Sequence, residues 1–286
     1  MGLGLQFLPA TIAGILYAVR AHHLAGTPRA VPGWRRACFL GGLALIVVTL
    51  ASIGSLADQL FWVHMVEHLL VGDIGTLLLV LGLTGPVLAP VLRIRAFDRL
   101  RVLAHPAVAF PLWALDLYLW HLPLLHEGAV RHGAVHALQH ACFVVFGANM
   151  WMALLGPLPK PQWFGNLARL GYIIAVRLTG AVLGNVLVFG THIFFPVYGA
   201  GERAHGVTPG GDQSAAGAVM MIEGSFVTLV LFGWLFLRAA REGEERQELL
   251  ELAAARGVEL SEARASRAVA AGRGGELRQR IEAGGG

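Results

Sequence analysis

The chain has 286 residues, of which 56% are hydrophobic and 14% charged, with a mean hydropathy of +0.62 and a formal net charge of +4. That balance excludes a water-soluble globular fold of this size, and it excludes the densely basic surface with which proteins hold nucleic acid.

A helix needs about 20 apolar residues to cross roughly 30 Å of hydrocarbon, because lipid offers the backbone no hydrogen-bond partners. Seven stretches qualify and predict an all-α, polytopic membrane bundle: residues 3–22, 36–56, 63–92, 105–124, 134–155, 170–196 and 215–239. The first lacks the positively charged start and small-residue cleavage site of a signal peptide and reads as a retained helix. The second carries Cys38 and the fifth Cys142, near opposite membrane faces, so no disulfide joins them. The third opens with His64 and His68, holds Asp73, and is expected to bend at Gly85, Pro86 and Pro90. Asp116 and His121 lie on the fourth, His136 and His140 on the fifth, Arg177 and His192 on the sixth, and Met220, Met221 and Glu223 on the seventh. Residues 1–240 thus form the membrane domain. Residues 241–286, with 8 Arg and 9 Glu, read as a solvated, charge-balanced tail. It is partly helical through Leu249, Leu250, Leu252, Val258 and Leu260, and disordered at its Gly-rich end.

Basic residues alternate between the loops. Arg20, Arg29, Arg35 and Arg36 flank the first, Arg93, Arg95, Arg99 and Arg101 fill the third, Lys160 and Arg169 mark the fifth, and Arg238 and Arg241 begin the tail. The second loop has none, and the fourth and sixth have Arg131 and Arg203 alone. Because Lys and Arg resist translocation, the pattern predicts an N-terminus outside and a cytoplasmic C-terminus.

With that topology, nine of the twelve histidines fall on the outer side. His64 and His68 are spaced i,i+4, as are His136 and His140, so each pair shares one helix face where both rings reach a common ion. His121 and His192 sit at similar depth. Intramembrane ionisable groups are expensive and mark function, so these six histidines are the candidate metal ligands. His126, His132 and His205 are assigned to outer loops without a role. Imidazole suits copper, zinc and iron, and the soft thioethers of Met65, Met220 and Met221 at the same level favour Cu(I), which puts copper ahead of zinc or haem iron. Glu67, Asp73, Asp116 and Glu223 are candidates for supporting the ligand imidazoles, with proton carriage or plain helix contact as alternatives. Arg177 is expected to snorkel to the headgroups, with pairing to a carboxylate of another helix as the alternative.

Residues 64–68 also match H-x-x-E-H, the inverted zinc-protease motif, with Glu67 as general base. Five residues are a weak signal, and a haem held between histidine pairs is a further reading.

Taken together, His64-Met65-Val66-Glu67-His68, the apolar run through Leu81-Gly82, His105-Pro106, Trp120-His121-Leu122-Pro123, His136 through Gln139-His140, Asp212-Gln213 and Gly217 resemble the polytopic cytochrome c oxidase assembly factor CtaG family. The likeness runs through most of residues 1–240. It implies a multi-pass protein of the bacterial plasma membrane, not an enzyme, that serves the building of haem-copper oxidase and has oxidase subunits as partners. Glutamine often stands at the position of Glu67 in that family and cannot act as a general base, which weakens the protease reading.

Overall fold

The computed structural model describes residues 8–95 and 100–284. Residues 3–7 of the first predicted span and Arg99 lie outside the described residues. Among the described residues the fold is entirely helical. The longer helices are α1 (Leu8–Leu24), α2 (Gly33–Ser52), α3 (Phe61–Gly82), α4 (Gly85–Leu92), α5 (Pro106–Trp120), α6 (Pro123–Arg131), α7 (Gly133–Leu154), α8 (Asn166–Phe189), α9 (Pro209–Ala255), α10 (Glu262–Ala270) and α11 (Gly274–Glu282).

Five of these, α2, α3, α7, α8 and α9, are long and apolar enough to cross a membrane, and α5 with α6 makes a sixth crossing if the pair, bent by 69°, is one span. The outward side chains fit lipid: Leu167, Ile174, Leu178, Val182, Val186 and Phe189 run down one side of α8, all exposed.

Sequence and structure part in four places. The third predicted span ends at Gly82, where extended backbone at Leu83 and Thr84 separates α3 from α4. The fourth breaks at His121, and Pro123, whose missing N–H costs nothing at a helix start, opens α6 where a loop was expected. The sixth ends at Phe189, so His192 lies beyond it. The end of the tail, expected to be disordered, carries α11.

The described chain divides into two compact units, Met1–Phe226 and Val227–Gly286. In the second, Leu249 and Ala253 of α9 pack on Val269 of α10 and on Leu277 and Ile281 of α11. Glu248 pairs with Arg278, and Glu262 with Arg246 at 3.4 Å.

In the first unit α3 is central. Its N-terminal donors, which the helix itself cannot pair, are satisfied from far along the chain: the Asp212 carboxylate accepts from the backbone N–H of Phe61 at 2.8 Å and of Trp62 at 2.9 Å. A buried negative charge there also complements the helix dipole. Halfway down, Leu69–Gly75 is a π-helical stretch, a wider turn that carries one residue more than an α-helix would. There α7 comes closest. A Cβ on Gly72 would lie 2.9 Å from that of Phe143, and one on Gly147 would collide with the Gly72 carbonyl. Two glycines therefore let the α3 and α7 backbones touch, the way small residues join helices in lipid.

Candidate metal centre

The Gly72–Gly147 contact sets α3 and α7 side by side, so the two i,i+4 histidine pairs meet. His64 and His136 stack with centroids 5.1 Å apart and planes 11° from parallel. His68 meets His140 at 5.4 Å, edge to face. One ligand atom from each of His64, Glu67, His68 and His136 can be chosen so that all lie within 4.8 Å of one another. The Glu67 Oε2 stands 3.7 Å from His136 Nε2 and 3.6 Å from His140 Nε2. His64 and Glu67 are 0% and 1% exposed, whereas the His136 and His140 side chains keep 15% exposure, so the group is buried on the α3 side and open in part on the α7 side.

The polar atoms here are left without protein partners. Both ring nitrogens of His64 and of His68, Nε2 of His136 and of His140, Oε2 of Glu67 and the side-chain amide of Gln139 are buried and make no hydrogen bond. Each such atom costs about 1–3 kcal/mol when nothing compensates. A cation would answer one atom from each of His64, Glu67, His68 and His136, since imidazole and carboxylate are ligands for zinc and copper alike. Tetrahedral coordination with bonds of about 2.1 Å needs donors about 3.4 Å apart, so the most widely spaced donors must close in by up to about 1.4 Å to grip an ion.

The centre is linked to the surface through His136. Its Nδ1 lies 3.8 Å from Oδ1 of Asp58, whose side chain is 54% exposed. Partial burial, and after it the nearby Glu67 carboxylate, raise the Asp58 pKa above the ordinary range.

The other predicted residues are distributed as follows. His121, at the break between α5 and α6, lies beside this group, its ring 6.2 Å from that of His126. His192 is exposed and rests against Phe194, away from the cluster. Asp116 is buried on α5, and its Oδ2 makes no hydrogen bond. Asp73 turns from the histidines: Arg177 Nη1 on α8 reaches its Oδ2 at 2.8 Å and Glu223 Oε2 on α9 at 3.6 Å. The expected snorkelling of Arg177 gives way to the alternative, a part-buried ion-pair network in which two carboxylates on neighbouring helices hold the guanidinium in place.

His126, given no role from sequence, belongs to the group. It is fully buried, 4.7 Å ring to ring from His64, and its Nε2 lies 2.8 Å from the Tyr198 hydroxyl. Burial pushes the Tyr198 hydroxyl well above its ordinary pKa, so it stays protonated. Pro123 followed by Leu124 and Leu125 was the signal for a helix that would carry His126 inward.

Three comparisons bear on this arrangement. The family model for the cytochrome c oxidase caa3 assembly factor matches residues 15–242. An uncharacterized protein of Mycobacterium leprae is 26% identical over 198 residues, covering 62% of this chain and 28% of that protein. Another, of Mycobacterium bovis, is 28% identical over 199 residues, covering 62% of this chain and 30% of its own length. The chain therefore spans less than a third of these relatives. No solved structure matches it.

Proposed function

The chain belongs to the cytochrome c oxidase caa3 assembly factor family, and from that premise we propose that it is a non-enzymatic copper-handling factor of the bacterial plasma membrane. In this reading seven spans place the N-terminus outside and residues 241–286 in the cytoplasm. The outer layer holds copper at His64, His68, His136 and His140, with His121 beside them, and gives it up to an oxidase subunit.

The observation that carries the reading is the group of buried, unpartnered imidazole nitrogens gathered from α3 and α7. A structural role for buried histidine calls for a hydrogen bond, and these have none. One further feature favours cargo over a resident cofactor. Asp58 and His136 connect the interior to the surface, as an ion that must come and go demands.

A haem iron is disfavoured by crowding across the two helices: the His64 and His136 rings stack face to face with centroids 5.1 Å apart and those of His68 and His140 lie 5.4 Å apart, with no space for a macrocycle between them. The protease reading is disfavoured by burial, since a peptide cannot reach Glu67 at 1% exposure.

The experiment is elemental analysis with absorbance spectroscopy on detergent-purified protein after copper loading, wild type against a His64→Ala, His68→Ala double variant. Copper retained by wild type and lost by the variant, without a haem band, is the expected result. No specific metal in either returns these histidines to packing or partner contact.

A further inference from the structure

Met65 lies next to His64 in the chain but faces the break between α5 and α6, where its Sδ is 3.4 Å from His121 Nε2. The other nitrogen of that ring, Nδ1, is 2.7 Å from the Leu117 carbonyl oxygen. A carbonyl only accepts, so the proton is on Nδ1 and Nε2 presents a bare lone pair. A thioether has no hydrogen to give. Two lone pairs therefore face each other in the interior, Met65 at 1% and His121 at 9% exposure. The ring nitrogen is a buried acceptor with no donor, the same condition that marks the neighbouring centre.

We propose that Met65 and His121 form a second metal pocket, distinct from the His64–Glu67–His68–His136 centre and selective for Cu(I). The pocket rests on the reading of this layer as copper-handling. Its donor set is neutral and soft, one thioether and one imidazole with no carboxylate, which suits a monovalent soft ion and is poor for Zn(II). With bonds of about 2.0 Å to nitrogen and about 2.3 Å to sulfur, a 3.4 Å separation subtends an angle of roughly 104°. That is bent, so the pair leaves room for a further donor. The His126 ring is that donor or the next station, 6.2 Å from His121 and 4.7 Å from His64, with its Nδ1 buried and unpartnered. An ion leaving Met65 and His121 meets His126 and then His64 without crossing solvent, and it needs no change of oxidation state on the way.

The test uses full-length, selenomethionine-labelled protein loaded with Cu(I) under anaerobic conditions and read by X-ray absorption at the copper edge, beside a chelator competition that counts bound ions. Wild type is expected to give a copper–selenium scattering path. Met65→Leu, which conserves volume, is expected to lose that path and about one equivalent of Cu(I), while its Zn(II) stoichiometry is unchanged. His121→Ala should lose the same equivalent. Copper bound by nitrogen and oxygen alone in wild type, or a selenium path that survives Met65→Leu, overturns the second pocket and leaves the histidine centre standing. Wild type that binds no copper overturns both.

Discussion

The imidazole of His136 lies nearly parallel to that of His64, 5.1 Å away, across the contact between α7 and α3. Neither ring nitrogen of His64 has a protein partner, so the stack is held by the packing of two helices and not by hydrogen bonds. Replacing either ring by alanine should weaken copper by more than the 10–100-fold that loss of a supporting residue costs. Because both act on one ion, the double variant should lose much less than the product of the two single losses. Competition titration of the four proteins checks this; independent, multiplicative losses would place the two rings in separate sites.

Acid should release the ion. Protonated imidazole cannot coordinate, so affinity is present while the ligand histidines are neutral and falls as pH drops through their titration, by about tenfold per pH unit for each proton displaced. Binding isotherms from pH 8 to pH 3 test the slope, because burial keeps imidazole neutral to lower pH than in water. A flat profile would point to the thioether donors as the ones that hold copper.

Asp58 should matter for rate more than for affinity. It is half exposed, 3.8 Å from His136 Nδ1, and carries negative charge at the mouth of the centre. Asp58→Asn should slow loading several-fold, most at low ionic strength, and leave final occupancy unchanged. Stopped-flow mixing at two salt concentrations distinguishes this from a ligand role, in which occupancy would fall as well.

Arg177 is a matter of stability. Arg177→Leu leaves Asp73 and Glu223 facing each other without their guanidinium, which should cost about 3–5 kcal/mol. Adding Asp73→Asn and Glu223→Gln should restore most of the loss. Thermal unfolding in detergent reads both steps, and copper stoichiometry in the rescued triple variant should equal that of wild type.

Gly147→Val should part α7 from α3, since even a Cβ there collides with the Gly72 carbonyl. Overpacking of this kind costs about 1–3 kcal/mol, and here it should also lower copper affinity without touching a ligand. Gly128→Ala, where a Cβ meets nothing within 4 Å, is the control.

Much of the site was legible because period and chemistry coincide. Two i,i+4 histidine pairs on apolar segments can only present paired rings, and hydropathy put them at one depth. What pattern could not carry was adjacency. That α3 lies against α7 is decided by Gly72 and Gly147, and nothing in a one-dimensional run of apolar residues distinguishes a glycine at a contact from one facing lipid. Arg177 was misread for the same reason: its partners are on two other helices, 104 positions away in the case of Asp73. His192 and His126 exchanged places because helix ends were misjudged, Gly190 stopping α8 early and Pro123 starting α6. Boundaries, unlike helix faces, are set by single residues.

The π-helical stretch in α3 works as a phase shifter between two layers. An extra residue in one turn advances everything after it by about 100°. His64, Glu67 and His68 precede or border that turn and address α7, whereas Asp73 emerges within it and addresses Arg177 on α8. One helix thus serves two partners in two directions, and deleting a single residue from Leu69–Gly75 would swing the Asp73 layer out of line with Arg177 while the histidines stayed in place. The acid–base layer and the metal layer are in this sense separately tunable, joined by a rod whose twist, more than its composition, keeps them apart.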